Sequence, residues 1–276
     1  MSESITIGGD LRVRRMGFGA MRLCGPGVIG YPADRENARR VLRRALERGV
    51  TLIDTADAYG PGVNEEQIAE TLFPYPAGVV IATKGGCVRP GGRWLPDGRP
   101  EHLAAACEAS LKRLKLERID LYQWHAPDPK VPFEESIGAL KRLRDEGKVR
   151  HVGLSNVTVE QLARARRIVE IVSVQNHYNV GARESDDVVD ACERDGLAFL
   201  PYFPIEAGDL AKAAGALATI AARHGASPAQ IALAWLLHRS PAIAPIPGTS
   251  SLAHLDENVD AARIALSAAE FAELAA

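Results

Sequence analysis

The stretch Leu52-Ile53-Asp54-Thr55-Ala56-Asp57-Ala58-Tyr59-Gly60 predicts a short buried strand that ends on a carboxylate and is followed, five residues later, by a phenol. A tyrosine has an unperturbed pKa of about 10, so a catalytic phenol needs a cation beside it, and that cation needs a counter-ion. The next two strand-like runs supply candidates, because Val79–Lys84 ends on a lysine and Ile119–His125 ends on a histidine. Asp54, Tyr59, Lys84 and His125 are therefore the candidate catalytic residues.

Outward from this stretch, brief apolar runs alternate with longer helical patterns along the whole chain. Such alternation forces parallel strands, and eight βα units in about 250 residues favour a closed (β/α)8 TIM barrel of the α/β class. We predict one domain over residues 1–276, with a short hairpin near residues 5–7 and 12–13. The eight barrel strands are predicted near Met16–Met21, Thr51–Asp54, Val79–Lys84, Asp120–His125, Arg150–Ser155, Ile171–Gln175, Leu197–Tyr202 and Ala242–Pro247.

A doubly wound dinucleotide-binding sheet is the rival fold. It is disfavoured because the run Gly17–Arg22 lacks the third glycine of the phosphate fingerprint and no helical pattern follows it directly. The helical pattern at Arg35–Glu47, the capping box that begins at Thr158 and the helix start at Ser227-Pro228 fit the barrel instead. The loop Gly85–Pro100, rich in proline and glycine, follows the lysine strand, and we expect it to lie over the barrel mouth.

Composition limits the classes of function. The 276 residues are 46% hydrophobic with a net charge of −2, which is enough for a full core and gives no electrostatic footprint for nucleic acid or a membrane surface. No apolar run has the length of a membrane span, and the N-terminus has no signal-peptide pattern, so a cytoplasmic location is expected. The four cysteines lack metal-ligand spacing, and no metal is predicted.

The order Asp, Tyr, Lys, His along the chain resembles that of the aldo-keto reductase family. Two later stretches carry the same resemblance, Val152-Gly153-Leu154-Ser155-Asn156 and Pro245-Ile246-Pro247-Gly248-Thr249-Ser250-Ser251. The resemblance implies reduction of a small aldehyde or ketone to an alcohol by hydride transfer from NADPH. In that chemistry Tyr59 gives a proton to the developing alkoxide, Lys84 lowers the pKa of the phenol, Asp54 holds Lys84, and a neutral His125 orients the carbonyl. Trp94, in the loop over the mouth, joins Tyr59 and His125 as a substrate contact.

The same resemblance assigns the second half of the chain mainly to the cofactor. Ser155, Asn156 and Gln175 would bind the carboxamide, Tyr202 would stack on the nicotinamide ring, and the helix after Ser251 would receive phosphate at its N-terminus. The residues so assigned are Gly19, Ala20, Met21, Asp54, Ser155, Asn156, Gln175, Tyr202, Pro204, Ile246, Gly248, Thr249, Ser250, His254, Glu257 and Asn258.

The chain departs from longer members of the family where Gly248 stands in place of a lysine and His254 in place of an arginine. NADPH remains the expected cofactor, while NADH use stays open. Phe203 replaces a common serine, and the last helical pattern leaves no long C-terminal loop, so we expect an open substrate site. Local motifs look most like a bacterial branch that includes pyridoxal reductases, and the lack of a basic cluster favours an unphosphorylated substrate.

The sequence also permits other interpretations of these residues and of the function. Taken one at a time, Asp54 suits a turn cap, Tyr59 a loop tyrosine, Lys84 a solvated strand end and His125 a structural histidine. Ser250 and Ser251 both suit helix caps. A redox-sensing regulatory protein of the same fold would bind the cofactor without needing turnover. A Schiff-base aldolase would use an uncharged Lys84 as its nucleophile. The chain is expected to act as a monomer or weak oligomer.

Overall fold

The structure is a computed structural model that describes residues 3–206 and 215–275. In these ranges the strands are β1 Ser4–Ile7, β2 Leu11–Arg14, β3 Phe18–Gly19, β4 Leu52–Asp54, β5 Val80–Gly85, β6 Cys87–Val88, β7 Leu95–Pro96, β8 Ile119–Trp124, β9 Val149–Ser155, β10 Ile171–Gln175 and β11 Ala198–Phe199. The α-helices are α1 Arg35–Glu47, α2 Val63–Leu72, α3 Pro100–Leu114, α4 Phe133–Asp145, α5 Val159–Arg166, α6 Asp186–Asp195, α7 Ala216–His224, α8 Pro228–Arg239, α9 Leu252–Asp260 and α10 Ala268–Ala275.

Seven parallel strands form the main sheet in the spatial order β11-β10-β9-β8-β5-β4-β3. Residues 242–247 close this curled sheet between its two edges. On one side the Phe199 N–H donates to Ala242 O at 2.8 Å, and on the other the Gly17 N–H donates to Pro245 O at 2.9 Å. The predicted (β/α)8 barrel is therefore confirmed.

The eighth predicted strand, Ala242–Pro247, needs a correction, because the segment pairs through isolated bonds and forms no regular strand. Prolines at 245 and 247 have no N–H to donate, so a continuous ladder cannot form there. The first and seventh strands are shorter than predicted, because only Phe18–Gly19 and Ala198–Phe199 form regular ladder pairs with their neighbours. Both still stand at the predicted places.

The predicted N-terminal hairpin is present as β1 and β2, which pair antiparallel. Its apolar side chains Ile7, Leu11 and Val13 pack with interior barrel residues such as Leu52 and Val172. The hairpin thus covers the end of the barrel where the strands begin, and two further apolar clusters fill the space between the strands and the helices. The opposite end, where the strands finish, is left for the site.

The predicted helix starts are also present. Thr158 and Ser227 each form a capping box with the residue three positions on, Gln161 and Gln230, and Pro228 occupies the first turn of α8. The helix α1 has the predicted bounds and is capped by Asp34. None of the helices in the described ranges is long and apolar enough to cross a membrane. The four cysteines are free thiols, and the described residues contain no cluster of three or more metal-ligating side chains.

Candidate active site

At the carboxyl ends of β4 and β5, Asp54 and Lys84 form an ion pair inside the barrel. Lys84 Nζ lies 2.6 Å from Asp54 Oδ1, and the two side chains are 3% exposed or less. The same ammonium donates to Thr55 O at 2.9 Å and to Tyr59 Oη at 3.4 Å. All three ammonium protons therefore have acceptors, and the cation is directed at the phenol.

The second carboxylate oxygen of Asp54 is held by two glutamine amides. Gln175 Nε2 donates to Asp54 Oδ2 at 2.9 Å, and Gln123 Nε2 donates to it at 3.3 Å. These bonds supply hydrogen-bond donors to a carboxylate that is almost completely buried, and they fix its orientation toward Lys84. Gln123 was not singled out from the sequence. The only feature of the sequence that could have indicated a role for Gln123 is its place near the end of β8.

The charges at this cluster can be assigned from its environment. Burial opposes the ammonium form of Lys84, but the Asp54 carboxylate and Tyr59 outweigh it and raise the lysine pKa. Burial raises the pKa of Tyr59, and the Lys84 charge acts in the opposite direction without cancelling it. The expected lowering by Lys84 is thus present as a contribution, while the resting phenol keeps its proton.

His125 follows β8 and faces the same cluster. Burial together with the charges of Lys84 and Arg89 lowers the pKa of His125 to about 3, so its imidazole is neutral near pH 7. Its Nδ1 atom is buried and has no hydrogen-bond partner among the described residues. The ring centroid lies 5.9 Å from that of Tyr59 and 6.0 Å from that of Trp94, in edge-to-face arrangements.

A cavity of about 1050 Å³ opens onto these side chains at the barrel mouth. It extends from the ring cluster past the ends of β9 and β10 to the N-terminus of α9. Most of the residues predicted for the site line it: Gly19, Met21, Asp54, Tyr59, Trp94, His125, Ser155, Asn156, Gln175, Tyr202, Pro204, Ile246, Gly248, Thr249, Ser250, His254, Glu257 and Asn258.

In the middle of the cavity, Asn156 joins three of its walls. Its amide donates to His125 O at 2.9 Å and to Ser155 Oγ at 3.1 Å, and Tyr202 Oη donates to its carbonyl oxygen at 2.8 Å. Asn156 has a φ of +59°, a left-handed conformation that asparagine tolerates better than most residues. One side of the Tyr202 ring stacks on His177, with centroids 5.5 Å apart and planes 17° apart. The ring is thereby fixed as a flat platform.

At the far end of the cavity, glycines at positions 19 and 248 allow two backbone segments to lie very close together. A Cβ at Gly19 would lie 2.6 Å from Ile246 O, and a Cβ at Gly248 would lie 2.5 Å from Gly19 O. Ser251 caps α9 by accepting from the His254 N–H, whereas Ser250 is not the cap. The free N–H groups of the first turn of α9 make this end attractive to an anion.

A model of the aldo/keto reductase family matches residues 15–276. The chain belongs to the aldo/keto reductase family. It is 46% identical over 267 residues to an uncharacterised oxidoreductase of Schizosaccharomyces pombe, covering 96% of this chain and 87% of the relative. It is also 45% identical over 275 residues to pyridoxine 4-dehydrogenase of Escherichia coli, covering 97% and 96%. The prediction of an NAD(P)H-dependent oxidoreductase is confirmed.

The barrel is shared with solved members of the family. A crystal structure of an aldo-keto reductase from Klebsiella pneumoniae in complex with NADPH superimposes with a TM-score of 0.85 at 27% identity, over 99% of this chain and 94% of that one. This agreement covers the strand ends that carry the site, because the match extends along almost the whole of both aldo/keto reductase chains.

Two predicted residues do not line the cavity. Lys84 lies behind Asp54 and Tyr59, which suits a group that acts on Tyr59 from within the barrel. Ala20 is fully buried, and its carbonyl oxygen accepts from Asn64 Nδ2 at 2.9 Å, so it supports the strand end from behind. Neither residue can contact a ligand in the cavity directly.

Other residues of this aldo/keto reductase line the cavity without having been predicted. They are Arg22, Val28, Cys87, Pro96, Ala126, Phe203, Ile205, Ser227 and Ala229. Several lie beside predicted residues in the chain, and that adjacency was a usable signal for Arg22, Ala126 and Phe203. Cys87 and Pro96 belong to the loop Gly85–Pro100 that the sequence analysis expected over the mouth, whereas no local pattern indicated that Val28 or Ser227 would face the cavity. Arg22 is exposed beside Gly248, with its Cγ 3.5 Å from the position of an added Cβ.

Proposed function

We propose that this protein reduces a small aldehyde or ketone to the alcohol, with Tyr59 as the proton donor. The observation that carries the proposal is the contact chain from Asp54 through Lys84 to Tyr59, which ends on a protonated phenol beside a neutral His125. A carbonyl oxygen within reach of both rings would receive a hydrogen bond from each. Negative charge that develops on that oxygen would be stabilised by the nearby ammonium.

The cavity fits a nicotinamide dinucleotide, and NADPH is the cofactor that the family membership and the solved NADPH complex support. When bound, it supplies the hydride. The Tyr202 platform would support the nicotinamide ring, and the Ser155 hydroxyl, whose oxygen already accepts from Asn156, keeps its proton for a carboxamide. Gly19 and Gly248 leave room for the cofactor backbone, and α9 would bind phosphate.

Each residue of the catalytic cluster has a distinct task in this proposal. Tyr59 gives its proton to the substrate oxygen, and Lys84 stabilises the phenolate that remains. Asp54 keeps Lys84 charged and oriented, which also argues against Lys84 as a Schiff-base nucleophile, since an imine requires the neutral amine. His125 is neutral and so orients the carbonyl without competing as an acid.

For the substrate we propose an unphosphorylated aromatic aldehyde, with pyridoxal as the first candidate. Three rings, those of Tyr59, Trp94 and His125, surround the catalytic end of the cavity at centroid separations of about 6 Å. Apart from Asp54, which is paired with Lys84, the acidic and basic side chains that line the cavity are Arg22 and Glu257, and both lie in its cofactor half. The relative named pyridoxine 4-dehydrogenase supports a pyridine ring as the substrate scaffold.

The test is oxidation of NADPH, with NADH in parallel, against pyridoxal, pyridoxal 5′-phosphate, benzaldehyde, propanal and acetone. We expect turnover with NADPH, the highest kcat/KM among these for an aromatic aldehyde, and a lower value for pyridoxal 5′-phosphate than for pyridoxal. Cofactor binding without turnover of any of these carbonyls would contradict the proposal and favour the regulatory alternative. A cytoplasmic location and a monomeric or weakly associated state remain predictions.

A further inference from the structure

Trp94 forms one wall of the substrate end of the cavity, although it belongs to the long loop between β5 and α3. Its side chain is 44% exposed, and its ring centroid lies 6.0 Å from that of Tyr59 and 6.0 Å from that of His125. A loop tryptophan with this exposure is not held by a packed core. Some other contact must keep the ring beside the two catalytic-cluster residues.

That contact is Arg89, whose guanidinium carbon lies 3.6 Å from the centroid of the Trp94 ring. Arg89 Nε and Nη2 also donate to Gly92 O, at 3.2 and 2.8 Å, which ties the arginine to the turn that precedes Trp94. A guanidinium suits this position because it stacks flat on an aromatic face while its edge donates in several directions.

The other edge of Arg89 reaches two further segments. Nη2 donates to Gly27 O at 2.8 Å, and Nη1 donates to Val28 O at 3.2 Å and to Ala58 O at 3.4 Å. Ala58 directly precedes Tyr59, so one side chain joins the loop of Trp94, the loop of Val28 and the turn that carries the phenol. Arg89 itself does not line the cavity.

The contact with Val28 is informative because Val28 lines the cavity in a strained conformation. Its φ is +60°, which a β-branched residue adopts only when the surroundings impose it. Its carbonyl oxygen accepts from the Gly60 N–H at 3.2 Å as well as from Arg89. Arg89 therefore helps to impose a backbone conformation that places Val28 at the substrate end.

We propose that Arg89 is a positioning residue that sets substrate selectivity by fixing Trp94 and Val28 as two walls above Tyr59. The inference rests on the proposed function, because it assumes that the substrate binds between these walls. An aromatic substrate needs both walls in place, whereas a small aliphatic carbonyl contacts Tyr59 and His125 without them. Loss of Arg89 thus affects the two kinds of substrate unequally.

The experiment compares Arg89→Met and Arg89→Lys with Arg93→Met, a matched control in the same loop. The Arg93 side chain is exposed and makes no hydrogen bond or ion pair with the residues that the structure describes. For Arg89→Met we expect KM for benzaldehyde or pyridoxal to rise about 10-fold or more, with kcat and the KM for propanal within about 3-fold of wild type. Arg89→Lys keeps the positive charge but lacks the planar guanidinium with its several N–H donors, so its KM for aromatic substrates should stay close to that of Arg89→Met. Arg93→Met should behave as wild type.

A second readout requires no activity. The chain has three tryptophans, of which Trp124 and Trp235 are fully buried, so acrylamide quenching of fluorescence reports mainly on Trp94. Quenching should increase in Arg89→Met and not in Arg93→Met, with Trp94→Phe defining the Trp94 signal. Equal losses of kcat/KM for aromatic and aliphatic carbonyls, or unchanged quenching in Arg89→Met, would overturn the proposal. If the wild-type protein reduces none of the carbonyls, the proposed function and the selectivity role both fail. The quenching measurement would still show whether Arg89 holds Trp94.

Discussion

Lys84 Nζ lies 2.6 Å from Asp54 Oδ1, and the two residues come from adjacent strands, β4 and β5, that pair in parallel. Asp54 pairs with Ala82, and Lys84 lies two residues further along β5 on the same side of the sheet, so its long side chain reaches the carboxylate. A buried ion pair of this kind contributes little net stability, because desolvation offsets attraction. Its value here is that it keeps a charged ammonium 3.4 Å from Tyr59 Oη.

Tyr59→Phe should lower kcat by about 100-fold to 10,000-fold, because it removes the proposed proton donor and leaves the ring in place. The Kd for NADPH should stay close to that of wild type. Steady-state kinetics and a fluorescence titration measure the two effects. Tyr31→Phe, at a partly exposed tyrosine bonded to Glu66, is the matched control and should retain activity. Near-normal turnover in Tyr59→Phe would rule out Tyr59 as the donor.

Lys84→Met and Asp54→Asn should each lower kcat, and the double variant should lose much less than the product of the two single losses. The reason is that Asp54 acts through Lys84, so once the lysine is gone the carboxylate has little left to orient. Residual activity of Lys84→Met should shift to higher pH, since the phenolate has lost its stabilising cation. A double-mutant cycle on kcat provides the check, and additive losses would show that the two residues act separately.

Asp57 should make the protein less stable as pH rises through neutrality. Burial and the charge of Glu65, opposed by that of Arg113, raise the pKa of Asp57 to about 8, and its Oδ1 atom is buried without a hydrogen-bond partner in the described structure. The native state then binds a proton that the unfolded state has released between about pH 4 and 8. The free energy of unfolding therefore falls with pH in this window, by at most about 1.4 kcal/mol per pH unit.

Asp57→Asn should remove this contribution, so its unfolding free energy should rise relative to wild type from pH 6 to pH 8. Urea unfolding at several pH values gives the difference directly. Glu193→Gln, at an exposed position of α6, serves as the control and should track wild type at each pH. A constant difference between wild type and Asp57→Asn over the window would mean that Asp57 is already ionised in the native protein.

His254→Arg should increase affinity for NADPH about 10-fold and leave affinity for NADH nearly unchanged, because a guanidinium forms charge-assisted bonds to a 2′-phosphate. His254 is exposed at the α9 end of the cavity and so has room for the longer side chain. His224→Arg, on α7, is the control. Kd values from fluorescence quenching decide the matter, and equal gains for both cofactors would mean that residue 254 does not face the 2′ position.

Lysine at position 248 would not achieve the same effect. A Cβ there would lie 2.5 Å from Gly19 O, a backbone atom that cannot move without displacing β3. Gly248→Lys should therefore weaken binding of both cofactors. This limit could not be read from the residue types, since it depends on two segments more than 200 residues apart that meet at the barrel closure.

Strand placement was predictable where a short apolar run stood between a turn and a helical pattern. Leu52–Asp54, Ile171–Gln175 and the helix α1 agree with the sequence prediction to within a residue. The segment 242–247 was predicted as a strand because its composition is apolar, but its prolines permit only isolated bonds. The apolar side chains of this segment favour a strand, but the N–H groups that Pro245 and Pro247 lack are needed for a regular ladder.

The sequence by itself determined the family and, through it, the class of oxidoreductase, because the order Asp, Tyr, Lys, His and the motifs that follow it resemble the aldo-keto reductases. The four candidate catalytic groups stand at or just beyond the ends of successive strands, and parallel strands bring such ends to one edge. Only the tertiary structure showed how the loops over that edge are joined to one another. Arg89 joins three of them through the backbone carbonyls of Val28, Ala58 and Gly92, and a carbonyl oxygen has the same chemistry in every residue. Contacts to backbone therefore leave no trace in the sequence of the partner, which is why these links between loops had to be found in the fold.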